Sequence, residues 1–351
     1  MKSKKLDLFI CLSCGVVIAG FIFFSTDPAT LAKSFHDLKL WWLLAAVGCM
    51  AVYWLMESLA LHLLLKKSDP ARRFGATFRV AMGGQYFNAI TPFSTGGQPF
   101  QAYYLARQGM DVGDAASGLL GRFLVYQTAL VSVSTVLLIA RLGYFREKVQ
   151  NFALVVLIGY LVNLAVLAAL VAVGLFRGAA DRSCRALIRL GAKLRLVKDP
   201  EKKLEQAETS LTRFHGNFQS MLLHTGRLWA GFFLSVVQLF AYLFVPYCIY
   251  RAFGLSGADP LPVIGAEGFV MMIASFVPIP GAGVGAEGSF YFFFNHLFPG
   301  EGQIGVAMIL WRLITFYLTV VVGAGFAVGA NRGAGQTGER KQDEKGAGPT
   351  T

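Results

Sequence analysis

Apolar residues fill long unbroken runs along this chain, and polar residues gather between them. The runs are Leu6–Phe24, Leu40–Leu65, Ala115–Ala140, Phe152–Phe176, Leu228–Tyr250 and Ile304–Ala330. Each reaches the roughly 18–20 residues that a helix needs to cross a hydrocarbon core of about 30 Å. They predict about six full membrane spans. Two further apolar regions, Ala76–Gly109 and Pro262–Phe298, are cut near their centres by "ITPFSTGGQP" and "VPIPGAGVG". Proline removes a helical hydrogen bond and glycine exposes backbone, so each region predicts two half-helices joined by a turn. Pro92, Gly96, Pro278, Pro280, Gly281 and Gly285 are the expected hinge residues.

Basic residues orient these elements, because Lys and Arg concentrate on the cytoplasmic side. Lys2, Lys4 and Lys5 precede the first run, which reads as an uncleaved span. Segment 66–79 holds Lys66, Lys67, Arg72, Arg73 and Arg79 against Asp69 alone. Loop 177–227 holds eleven basic residues against five acidic ones. With all three inside, Ala76–Gly109 must enter and leave from the cytoplasm, and Pro262–Phe298 from the opposite side. Both then read as re-entrant helical hairpins of opposite orientation. Loop 141–151 is placed outside although it carries Arg141, Arg146 and Lys148.

The two broken regions also resemble each other. Setting Pro92 on Pro278 brings Gly97 onto Gly283 and Gln101 onto Glu287. A span with an arginine follows each, "LLGRFLVYQ" around Arg122 and "MILWRLITFY" around Arg312. The unit of span, hairpin and arginine-bearing span thus occurs at 40–140 and again, upside down, at 228–330. Inverted repeats with discontinuous helices are a signature of transporters. Between them, Leu204, Ala207, Leu211, Phe214, Phe218 and Met221 recur at helical spacing among Lys, Glu and Gln. They predict an amphipathic helix on the inner face or beneath the bundle. A single membrane domain is expected over 1–330, with a disordered tail at 331–351.

Composition agrees. Of 351 residues, 55% are hydrophobic and 15% charged, against about 25% charged in soluble domains. The mean hydropathy is +0.55. The net charge of +12 reflects positive-inside loops rather than nucleic-acid binding. Cys11-Leu-Ser-Cys14 falls inside an apolar run without a second pair, and reads as small span residues. The five histidines show no ligand spacing, and no nucleophile motif is present. No catalytic residue, metal or cofactor is therefore expected. Gly283-Val-Gly285-Ala-Glu-Gly288 matches a dinucleotide fingerprint literally, but an apolar helix rather than a strand leads into it.

The chemistry must then come from polar groups at membrane depth. Arg122 and Arg312 lie about eight residues into their spans, roughly 12 Å along a helix axis. An ionised group there costs about 2.5–3.5 kcal/mol on insertion scales, so it needs a partner or a watery cavity. Either an internal pair, such as Arg312 with Glu287 or Glu267, or an anion such as a lipid phosphate meets that need. Gly97 and Gly283 would let a head group approach unpaired amides at a half-helix start. Gln98, Gln101, Glu267 and Glu287 complete the expected substrate-binding set. Glu287 reads equally as a helix cap or a proton-coupling acid, and Glu57 as a satisfied polar contact.

With "TPFSTGGQPFQAYYL" and "PIPGAGVGAEG" both placed, the chain resembles the flippase-like transmembrane family, which includes the membrane half of lysylphosphatidylglycerol synthases. The resemblance spans roughly residues 5–330. It rests on Thr91-Pro92, Gly96-Gly97-Gln98-Pro99, Arg122, Pro280, Gly283, Glu287 and Arg312. Relatives often carry P-G-G-x-G-x-R-E in the second motif; here Ala282 replaces a glycine and Ala286 the arginine. The resemblance implies a stand-alone member that translocates lipid, without the soluble synthase module. Expected partners are anionic or aminoacylated phospholipids, with a homo-oligomer or a lipid-synthesising enzyme beside them and no nucleic acid. The expected location is a bacterial or archaeal cytoplasmic (inner) membrane, with both termini inside. A transporter of a small polar solute, a non-transporting lipid-binding regulator and an intramembrane lipid-modifying enzyme remain as alternatives.

Overall fold

The computed structural model describes residues 38–140, 152–176, 199–223, 225–274, 277, 279–299 and 301–327, with isolated positions between 178 and 189. The expected first span Leu6–Phe24, loop 141–151, Pro278 and the tail 331–351 lie outside the described residues. Among those described, all regular structure is helical. The chain runs through α1 (Leu40–Leu65), α2 (Phe74–Ile90), α3 (Gly97–Arg107), α4 (Val112–Ala140), α5 (Phe152–Leu175) and α6 (Pro200–Leu223). It continues through α7 (Thr225–Leu243), α8 (Val245–Ala252), α9 (Pro260–Ala274), α10 (Gly285–Phe294) and α11 (Glu301–Arg312). A π-helical turn, Leu313–Tyr317, carries α11 onward as helix to residue 327. Among the described residues, four stretches are long and apolar enough to cross a membrane: Leu40–Leu65, Val112–Leu137, Thr225–Ala252 and Gly302–Ala327. The protein is an all-α integral membrane protein.

α1 shows how such a helix divides its faces. Ala46, Met50, Trp54, Ser58, Leu61 and Leu65 recur every three or four residues and are buried. Trp41, Leu44, Val47, Val52 and Leu55 are exposed on its other sides. Lipid tails are as apolar as leucine, so close packing rather than escape from water holds such faces together. The main partners of α1 are α7, α8 and α2. The largest core surrounds Trp311, whose indole stacks on Phe290 at 4.8 Å between centroids.

Both interrupted regions form hairpins. α2 packs on α3, α9 packs on α10, and the two hairpin tips touch each other. The first hairpin closes tightly because Gly84 has no side chain: a β-carbon there would stand 2.2 Å from Nε2 of Gln101. At the tips the backbones nearly coincide. Thr91 has φ −113°, ψ 146° and Ile279 has φ −112°, ψ 139°. Each precedes a proline, Pro92 or Pro280, and extended backbone is what a residue before proline favours. Phe93 (φ 54°, ψ 17°) and Gly281 (φ 68°, ψ 10°) follow in the left-handed region, then Ser94 and Ala282, both at φ 53°. The turns therefore pair Pro92 with Pro280 and Gly97 with Gly285. The register that set Pro92 on Pro278 is two residues off, and Gln101 falls opposite Ser289 rather than Glu287. The proline that opens the turn defines the equivalence, and Phe93 hides it by holding a glycine-like conformation.

α6 packs against α4 and α5. Phe214, Phe218 and Met221 are buried there, and His215 contacts the Gly174 carbonyl through Nδ1 at 3.0 Å. The span expected at Leu228–Tyr250 is divided into α7 and α8, with Pro246 in the first turn of α8.

Candidate functional site

A cavity of about 200 Å³ lies where the tips meet. Gln85 and Asn88 of α2 and Ser94 of the first tip line one side; Gly281, Ala282 and Arg312 line the other. Tyr53 of α1 and Tyr242 of α7 line it too, their rings 5.4 Å apart. Thr315 and Thr319 turn their hydroxyls to carbonyls one turn back, those of Trp311 and Thr315, both at 2.7 Å.

Arg312 is the cation on this cavity, and it is only 8% exposed. Its Nε donates to Oε1 of Glu287 at 2.6 Å. Glu287 stands in the first turn of α10, where the helix dipole favours a carboxylate. The guanidinium lies over the rings of Trp311 at 4.9 Å and Phe316 at 5.5 Å, which favours a cation. Its Nη2 is buried without a protein partner. Behind it, Trp311 Nε1 donates to Oε1 of the fully buried Glu267 at 3.0 Å. The second oxygens of Glu267 and Glu287 are also unpartnered. The site thus holds a cation and two carboxyls, with hydrogen-bonding capacity unused on all three.

Arg122 sits differently. Its Nη2 donates to Gln238, its guanidinium lies over Tyr126 at 5.1 Å, and its Nε has no partner. Glu57 accepts from Gln85, the satisfied contact expected of it. Gly96 and Gly97 spend their amides on the Thr91 hydroxyl and on Asn88 Oδ1, both at 2.8 Å. Gln101 is buried against Gly84, while Gln98 is exposed. Gly283 is buried beside the second tip. So Arg312, Glu287 and Glu267 come together, and of the expected binding set Arg312 alone lines the cavity. Gln85, Asn88, Gln238, Tyr53 and Tyr242 escaped sequence reasoning, although Gln238 is a polar residue inside an apolar run.

These features define a multi-pass integral membrane protein whose two broken hairpins meet at a charged, partly unsatisfied cavity. By sequence, the chain belongs to the lysylphosphatidylglycerol synthase transmembrane-region family, whose description matches residues 10–323. It is also 26% identical over 308 residues to a UPF0104 membrane protein from Archaeoglobus fulgidus, covering 86% of this chain and 91% of the relative.

Proposed function

We propose that the protein moves the polar head of an anionic or zwitterionic phospholipid between leaflets, with Arg312 receiving the phosphate. The observation that carries this reading is that Arg312, which lines the cavity between the tips, keeps a buried Nη2 without a protein partner. A buried guanidinium with a free donor is costly in the membrane, and an anion entering the cavity supplies the missing acceptor. Glu287 neutralises the cation when the cavity is empty and yields part of its hold when phosphate arrives. The cavity is small beside the roughly 300–1,000 Å³ that enclose whole ligands, which suits a head group whose chains stay in the bilayer. Family membership adds support, since the family's name joins this membrane region to a phospholipid-modifying enzyme.

In this reading the hairpins re-enter from opposite faces and their tips form the barrier between two half-paths. Arg122, half-buried in the first repeat, serves the other half-path, with Gln98, Gly97 and Gly283 along the route. The protein resides in a cytoplasmic membrane with both ends inside. Reconstitution into liposomes with head-group-labelled phospholipids tests it. Label should become accessible across the bilayer with the native protein and far more slowly with Arg312→Gln. Native protein that moves none of the lipids refutes the proposal.

A further inference from the structure

A second cavity, of about 450 Å³, lies among α4, α5, α6 and α7 and shares no lining residue with the central one. Its walls include Leu124 and Val125 of α4, Leu167 and Val171 of α5, Met221 of α6 and Leu228 of α7. Thr128 faces it as well, but its hydroxyl is spent on the Leu124 carbonyl at 2.8 Å. Such a surface offers a ligand carbon contacts and little to orient a polar group. Trp229, another lining residue, is 59% exposed, and Leu223 at the end of α6 is 82% exposed.

One end of this cavity is basic. Leu64 packs with Leu124, Met221 and Leu228, and Lys67 follows it just past the end of α1. Lys67 donates to the Asn217 carbonyl of α6 at 3.3 Å. Burial, and then the charge of nearby Arg227, pull its ammonium below the usual lysine value. Arg227 is exposed in the first turn of α7, beside the lining residue Leu228. Of the acids on this side, Asp69 pairs with Arg72 and Asp111 with Arg213, while Asp114 accepts from Asn217. Neither Lys67 nor Arg227 lines the groove, but Lys67 lies one turn beyond Leu64, which packs on its lining residues, and Arg227 adjoins the lining residue Leu228. Two neighbouring cations beside an apolar groove suit a hydrocarbon chain ending in an anion.

We propose that this groove holds one acyl chain of an anionic phospholipid of the cytoplasmic leaflet, with its phosphate between Lys67 and Arg227. The chain fills the space between α4 and α5 and ties α6 to the bundle. This lipid is a resident rather than a passenger, and its site stands whether or not the central cavity moves lipid.

The test places the full-length protein in nanodiscs with trace phospholipid carrying a photoreactive diazirine at its chain end. Labelled peptides are then mapped for a phosphatidylglycerol probe and a phosphatidylcholine probe. The anionic probe should label α4 around Leu124–Ser132 and α7 around Leu228–Phe232 above the exposed residues Trp41, Leu44 and Val47 of α1. Lys67→Gln with Arg227→Gln should lower that labelling roughly 30-fold, the loss expected of two cations near an anionic head group. Thr128→Trp, which fills the groove, should abolish it. Equal labelling by both probes, or anionic-probe labelling unchanged in the charge variants, overturns the proposal. Arg227 is exposed and Lys67 only half-buried, so the charge variants keep the test decisive should the tryptophan variant fail to fold.

Discussion

The ring of Phe316 lies 2.5 Å from where a β-carbon on Gly281 would stand. Gly281 also holds φ 68°, a conformation that an L-residue adopts at a cost of roughly 1–2 kcal/mol. Gly281→Ala should therefore lower the thermal midpoint in detergent, and Gly281→Ala with Phe316→Ala should recover only the steric part. Phe93 occupies the matching place with the same kind of backbone and no glycine. Phe93→Gly should relieve strain there and leave the midpoint unchanged or higher. A Gly281→Ala protein as stable as the native one would contradict the tip geometry.

Breaking the Arg312–Glu287 pair should cost more than deleting it. Removing one member of a buried pair costs about 3–5 kcal/mol because the other charge is stranded, whereas apolar replacement of both is often close to neutral. Glu287→Met should thus destabilise strongly, and Arg312→Met with Glu287→Met should regain most of the loss. Transport should be absent in both. Thermal unfolding checks the first pattern and the liposome assay the second.

Glu267 should tolerate an amide better than a hydrocarbon. Glu267→Gln keeps an oxygen for Trp311 Nε1 and should shift stability by less than about 1 kcal/mol. Glu267→Leu strands that N–H, whose loss of a partner costs about 1–3 kcal/mol. Trp311→Phe removes the donor instead and also loosens the stack on Phe290. Denaturation in detergent, followed by tryptophan fluorescence, separates the three.

Opposed entry of the hairpins is open to labelling. Thr95 and Val284 are exposed at the two tips, Val284 by 74%. In a cysteine-free background, Thr95→Cys should react with an impermeant maleimide from the cytoplasmic side and Val284→Cys from the other. Reaction of both from one side contradicts the inverted arrangement.

Much of this architecture was legible beforehand. The run Leu40–Leu65 became α1 to the residue, because a lipid-facing helix announces itself by length and hydropathy alone. Both interruptions became turns, since proline and glycine act locally. The pairing of Arg312 with Glu287 was among the options, because a charge at depth demands a partner. What escaped depends on shape or distance. Gln101 looked like a polar group in a pathway, yet Gly84 opens a notch that buries it. Gln238 reaches Arg122 from 116 positions away, and Tyr53 meets Tyr242 across two repeats. The repeat register slipped because backbone conformation is shared where side chains are not: Pro92-Phe93-Ser94 and Pro280-Gly281-Ala282 trace one turn with different chemistry.

That shared turn makes the two halves twins in trace and strangers in surface. The first tip exposes the Phe93 ring and the side chains of Ser94 and Thr95, while the second sets Gly281 under the Phe316 ring, exposes Val284 and adjoins the cavity that Arg312 lines. In the proposed translocation, a head group meeting the tips in one order would reach the aromatic face first, and in the reverse order the cation. The turn repeats in backbone, but the chemistry it presents does not. On that proposal the two directions of passage differ at the tips themselves.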